Sequence, residues 1–216
     1  MHKSINNLNL IKENLKSKIK NHEKIKIVAV SKTFSLDQIL PLIEYGHLDF
    51  GENKVQEAID KWTNTKLNFP KVNLHLIGKL QTNKVKFAVK IFDYIHSVDN
   101  EKLAKKIADE EKKINRKLKI FIQVNIGDEE QKSGLNKDQL KNFYLYCKEI
   151  NLDVVGLMCI PPFDKDPVLY FKEMEKLSND LNLNDLSMGM SSDYIEAVKY
   201  SSTFLRIGSS IFGQRG

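Results

Sequence analysis

Apolar residues recur along this chain in two alternating rhythms. Short runs dense in Ile, Val, Leu and Phe fall at 25–31, 48–50, 73–77, 91–96, 118–126, 152–159, 186–190 and 203–207. Runs of this length and composition predict strands, and near-continuous apolarity predicts burial on both faces. Between them, apolar positions return every three or four residues, the spacing of one helix face. Leu36, Ile39, Leu40 and Ile43 make one such face, and Leu103, Ala104, Ile107 and Ala108 another. Val168, Phe171, Met174, Leu177 and Leu181 make a third. Further helices are predicted at 55–62, after Gln81, around Leu140 to Cys147, and from Ser191 or Ser192 through Val198. Ile5, Leu8, Ile11, Leu15 and Ile19 predict a helix over 4–21, ahead of the first strand.

The boundaries carry their own signals. Ser35 with Gln38 reads as a capping box, Gly46 as a C-cap and Asp99 as the cap of the helix holding Leu103. Pro161 and Pro162 stop the run at 152–159. No linker divides the chain, so 1–216 is expected to be one domain, with 1–22 covering it. Alternating strands and helices predict an α/β protein with a parallel sheet. A count of about eight strands points to a closed (β/α)8 TIM barrel. An open doubly wound sheet is the alternative, disfavoured because no dinucleotide-type glycine fingerprint follows the first strand.

In a barrel all strands end at one mouth, where functional groups gather. The polar residues expected there include Lys32, Asn53, His75, Asn125, Ser191, Arg206, Gly208 and Ser209, with Met158. Alone, Lys32 reads as a strand's exit to solvent. Gly208-Ser209-Ser210, opening a short turn, offers N–H groups and hydroxyls to an anion, and Ser191 and Ser192 supply a second arm. Each serine alone reads as an ordinary cap. Together, a phosphate cradle opposite a lysine amine suggests pyridoxal 5′-phosphate. Arg206 would meet the ring nitrogen, and a permanent cation there weakens the cofactor as an electron sink.

Composition narrows the classes. The chain has 216 residues, 41% of them hydrophobic, enough for one sizeable core. Its net charge of +6 comes from scattered lysines with no compact basic stripe, which argues against a nucleic-acid partner. Cys147 and Cys159 lie far apart and in no metal-ligand spacing, as in a reducing compartment. Charges at Lys3, Lys12 and Glu13 interrupt any leader or membrane span. A cytoplasmic protein without membrane partners is expected.

The stretches AVSKT (29–33), FGENKVQE (50–57), LIGKLQTNK (76–84), IHSVD (95–99), QVNIGDEEQKSG (123–134), GLM (156–158), LSMGMSSD (186–193) and RIGSSIFGQR (206–215) run in the order of a known family. In them the chain resembles the pyridoxal phosphate homeostasis proteins, which share the barrel of the alanine racemase N-terminal domain. The resemblance implies that Lys32 holds the cofactor as an internal aldimine. It places Ser191, Gly208 and Ser209 at the phosphate, Arg206 at the ring nitrogen, and Asn53 and His75 in the pocket-lining motifs. It implies binding, buffering or delivery of pyridoxal phosphate, to apo-forms of enzymes that use it, by a monomer without a turnover reaction. Lys79 stands where the family usually has His, Lys54 where an aromatic is common, Ser201 for Gly and Ser209 for Thr.

A racemase or decarboxylase on the same barrel is the rival reading. Such racemases carry a further β-domain with a catalytic tyrosine, and none is expected before the end at Gly216. A regulatory protein holding the cofactor as a structural ligand is a third.

Overall fold

Strands and helices alternate through the chain. The computed structural model describes residues 2–129 and 131–214. A first helix α1 (Lys3–Lys18) precedes β1 (Lys26–Val30), α2 (Leu36–Glu44), β2 (Asp49–Glu52), α3 (Val55–Asn68), β3 (Asn73–Leu76) and α4 (Val85–Ile91). Then come β4 (Tyr94–Val98), α5 (Glu101–Ile114), β5 (Lys119–Gln123), α6 (Leu140–Glu149), β6 (Asp153–Met158) and α7 (Pro167–Asp180). The chain closes with β7 (Asp185–Ser187), α8 (Tyr194–Lys199), β8 (Phe204–Ile207) and a single turn α9 (Ser209–Phe212).

The strands pair in chain order and in parallel, and β8 returns to β1, with Val28 opposite Arg206. The expected TIM barrel is therefore what the chain forms. Outward-facing strand residues such as Phe50 pack against the inner faces of the helices, where Trp62 of α3, Phe171 of α7 and Phe92 at the end of α4 are fully buried as well. A smaller interior cluster joins Val28, Phe121, Met158 and Phe204. Burial of this kind stabilises by about 25 cal/mol per Å² of apolar surface. Helix α1 lies on the outside of the barrel through Ile5, Leu8, Ile11 and Leu15. Its Asn7 Nδ2 donates to Ile211 O of α9 at 2.9 Å, and its Asn14 Nδ2 to Tyr194 Oη of α8 at 2.7 Å. Among the described residues no helix is long and apolar enough to cross a membrane.

Several boundaries differ from the sequence expectation. The fourth strand starts at Tyr94, not Ile91, because Phe92 N–H still bonds Ala88 O as the end of α4. Asp93 then ties Lys66, Arg116 Nη2 (2.6 Å) and Leu74 N (2.7 Å) together. The cap of α5 is Asn100, whose Oδ1 accepts from Leu103 N at 2.9 Å. Asp99 instead accepts from Gly134 N at 3.2 Å, joining the loops after the neighbouring strands β4 and β5. Helix α8 opens after Asp193, so Ser191 and Ser192 sit in a turn before it rather than capping it. The capping-box contact is present, with Ser35 N–H donating to Gln38 Oε1 at 3.0 Å.

Candidate functional site

At the C-terminal mouth of the barrel a cavity of about 650 Å³ is lined by Val30, Lys32, Asn53, Ile77, Ile160, Met190, Ser191, Ser192, Arg206, Gly208, Ser209, Gly213 and Gln214. Six of the residues expected at the site are among them: Lys32, Asn53, Ser191, Arg206, Gly208 and Ser209. They come from the ends of β1, β2 and β8 and from the turn after β7. A second, smaller cavity of about 490 Å³ with a largely apolar wall lies at the other end of the barrel, between α1 and the starts of β1 and β2. It holds none of the expected site residues, so the mouth cavity is the candidate.

Lys32 is half-buried, two residues past β1. The turn that carries it is braced from below. Ser31 Oγ donates to Glu52 Oε1 at 2.7 Å, and Lys61 Nζ donates to Ser31 O (3.0 Å), Glu52 Oε1 (2.9 Å) and Glu57 Oε1 (3.1 Å). Trp62 Nε1–H also donates to Glu52 Oε1, at 3.0 Å. Thr33 sits at φ +69°, a conformation that costs a β-branched residue about 1–3 kcal/mol. Its N–H donates to Glu57 Oε1 at 2.5 Å, which holds it there. Burial pushes the Glu52 carboxyl above its ordinary value against the pull of Trp62, Lys61 and Ser31, and its Oε2 has no hydrogen-bond partner among the described residues.

Asn53 follows β2, where its backbone packs on Gly78. A β-carbon at Gly78 would stand 2.4 Å from Asn53 O, so this approach requires glycine. Arg206 is 5% exposed and is anchored on one side: Nη1 donates to Ser187 O and to Ser187 Oγ (2.7 Å), and Nη2 to Cys159 O (2.8 Å). Burial pushes its guanidinium below the ordinary value, opposed by Cys159 and Asp193. On the far wall Ser191 Oγ accepts from Ser210 N at 3.3 Å, joining the turn after β7 to the turn after β8. The arrangement sets an amine, a guanidinium, an amide and hydroxyls around one space, a donor set suited to an anionic ligand with an electrophilic carbonyl.

Other expected residues lie elsewhere. His75 is a correction: it does not reach the mouth. It is fully buried inside the barrel, bonded to Asp49 and His96 and stacked on Tyr94 at 4.2 Å. Its place within β3, one residue before Leu76 closes the strand, keeps it in the interior. Met158 fills the interior cluster, and Asn125 bonds its own loop through Glu129. Lys54 and Lys79 are exposed and do not line the cavity. Glu130 and Arg215, within the matching stretches, lie outside the described residues, as do Met1 and Gly216. Sequence reasoning missed the brace of Ser31, Glu52, Glu57, Lys61 and Trp62. Its signal was an acid, Glu52, in a strand end otherwise buried.

Comparisons with known proteins agree on the family. The family model described as "Alanine racemase, N-terminal domain" matches residues 6–216. A pyridoxal phosphate homeostasis protein of Haemophilus influenzae is 33% identical, covering 97% of this chain and 94% of its own length. One of Aquifex aeolicus is 37% identical over 88% of this chain and 87% of its own. The structure of PipY of Synechococcus elongatus PCC7942 with PLP bound superposes with a TM-score of 0.85 at 32% identity, covering 93% of this chain and 97% of that one. With its barrel, its mouth and these relatives, the chain belongs to the pyridoxal phosphate homeostasis protein family, on the barrel of the alanine racemase N-terminal domain.

Proposed function

We propose that this protein binds pyridoxal 5′-phosphate at the barrel mouth and serves its homeostasis or delivery in the cytoplasm, without a turnover reaction of its own. The observation that carries the reading is the convergence of Lys32, Asn53, Ser191, Arg206, Gly208 and Ser209 on one cavity. Its volume of about 650 Å³ falls in the range of small-molecule sites. The chemistry of the walls fits the cofactor. Ser191, Gly208 and Ser209 would hold the phosphate, and Arg206 would donate to the ring nitrogen. A β-carbon at Gly208 would meet only Val30, at 3.4 Å, and its φ of −115° suits any residue. The fold alone does not require glycine there, whereas a phosphate lying against that backbone does.

When bound, pyridoxal phosphate supplies an aldehyde that condenses with a primary amine and releases water; the amine here is Nζ of Lys32. Asn53 would line the ring's edge. The cavity wall also supports a carrier rather than an enzyme. Its described residues include no Asp, Glu, His, Tyr or Cys. Racemisation needs proton-transfer groups on both faces of the reacting carbon, and Lys32 would serve one face only. Apo-enzymes that use the cofactor are the proposed recipients, and the protein acts as a monomer.

The test is the visible absorption of the cofactor-loaded protein before and after borohydride, then incubation with amino acids. The expected result is a visible band that borohydride removes and no multiple-turnover product. Sustained racemisation or decarboxylation would overturn the carrier reading. Absence of any band would overturn the cofactor reading.

A further inference from the structure

Below the mouth, the barrel interior holds an unbroken run of polar groups from five strands. Arg206 Nη1 (β8) donates to Ser187 Oγ (β7) at 2.7 Å. Ser187 Oγ lies 2.8 Å from His96 Nδ1 (β4), and His96 Nε2 lies 3.0 Å from His75 Nδ1 (β3). His75 Nε2 lies 3.0 Å from Asp49 Oδ1 at the start of β2. Ser187, His75 and His96 are fully buried, and only Asp49 is partly exposed. Asp49 also accepts from Asn73 Nδ2 at 3.1 Å, and it lines the cavity at the opposite end of the barrel.

With both histidine rings neutral, the carboxylate end of this run fixes the direction of every bond within it. A guanidinium only donates, and a carboxylate only accepts. His75 must therefore donate from Nε2 to Asp49, which leaves its Nδ1 as an acceptor. His96 must donate from Nε2 into that nitrogen, which leaves its own Nδ1 as an acceptor. Ser187 must then turn its hydroxyl hydrogen to His96 while its oxygen accepts from Arg206. Both rings are neutral in this scheme, in keeping with the downward pull of burial on each, and Asp49 is held in its charged form by His75 and Asn73. Apolar residues of similar volume would fill β3 and β4 without the cost of burying two imidazoles. Stability alone thus does not account for the run.

We propose that Asp49, His75, His96 and Ser187 are positioning residues for Arg206: a one-way hydrogen-bond chain through the barrel that fixes the guanidinium in one donor orientation at the mouth and balances its charge with a carboxylate at the other end. The inference rests on the proposed ligand site, because its benefit is a donor pre-set toward the cofactor's ring nitrogen. Chains of hydrogen bonds polarise one another in a low-dielectric interior, so a change at Asp49 is felt at Arg206.

Two readouts test it. The first needs no cofactor: long-range proton–nitrogen correlation of the histidine rings in the cofactor-free protein. Both His75 and His96 are expected as neutral rings with the hydrogen on Nε2. An Nδ1–H ring or a protonated ring at either position would overturn the chain. The second uses cofactor-loaded protein. His96→Phe keeps the stacking on Phe121, now 4.4 Å, but cuts the chain. It should weaken pyridoxal phosphate binding about tenfold, the order expected for a lost bond supporting a charged donor, and shift the visible band. A merely space-filling His96 predicts an unmoved band and unchanged affinity, and that result would overturn the proposal.

Asp49→Leu, at the partly exposed end, gives the same readout if His96→Phe fails to fold. Asp49→Asn, which keeps an accepting oxygen, should leave both ring tautomers in place. If wild-type protein takes up no pyridoxal phosphate, the site reading fails, and the ring tautomers alone decide the chain.

Discussion

The mouth and the interior of this barrel are both polar, and they use polarity in opposite ways. At the mouth, Lys32, Asn53, Ser191 and Ser209 face an open cavity of about 650 Å³. Inside, Asp49, His75, His96 and Ser187 spend their hydrogen-bonding capacity on one another. Arg206 belongs to both, lining the cavity while donating to Ser187 and Cys159. A binding site must keep donors available, whereas buried polar groups must be satisfied by the protein itself. The contrast separates residues that should set affinity from residues that should set stability and orientation.

Substitutions can break that contrast. Phe121→Ala, in the interior cluster, should cost about 3–5 kcal/mol in urea denaturation; a loss below 1 kcal/mol would mean the interior is not packed as described. Acid should act on the lower half of the barrel next. His47, buried beside β2 with Nε2 bonded to Asp49 O at 3.0 Å, has its pKa pushed down to about 4 by burial. Between pH 6.5 and 4 the unfolded chain binds a proton that the folded ring does not, so stability falls as pH falls through that window. The loss from His47 is about 3 kcal/mol, measured as urea midpoints at both ends of the window, and His47→Leu should remove that share while the buried His75 and His96 keep theirs. Ser209→Ala should weaken pyridoxal phosphate binding about tenfold and move stability by less than about 0.5 kcal/mol. The smallest effects belong to exposed Lys54 and Lys79. Alanine at either should leave cofactor retention unchanged, and a clear loss of retention would place the site differently.

The barrel was legible because its strands are buried on both faces and its helices on one, so two periodicities repeat with little interference. The mouth was legible because its residues follow strand ends directly: Lys32 after IVAV, and Gly208-Ser209 after FLRI. The interior chain was not. Asp49, His75, His96 and Ser187 lie on four strands, and each sits inside a run that looks apolar or neutral by itself. Only the closure of the barrel brings them within bonding distance, and no local pattern encodes that closure. His75 shows the cost of judging position by a strand's predicted end, since Ile77, two residues on, lines the mouth while His75 bonds Asp49 in the interior. The brace on Lys32 was hidden for a related reason: Lys61 reads as an exposed helical lysine, yet its amine reaches back to Ser31 and Glu52.

We propose that Lys32, held by that brace, is the residue that takes the cofactor. The most direct measurement is peptide mapping by mass spectrometry after pyridoxal phosphate loading and borohydride reduction, in wild-type protein and in Lys32→Ala. The expected result is the reduced cofactor on Lys32 in wild type and no adduct in Lys32→Ala. A reduced adduct on Lys54, Lys79 or any other lysine in place of Lys32 would contradict the account.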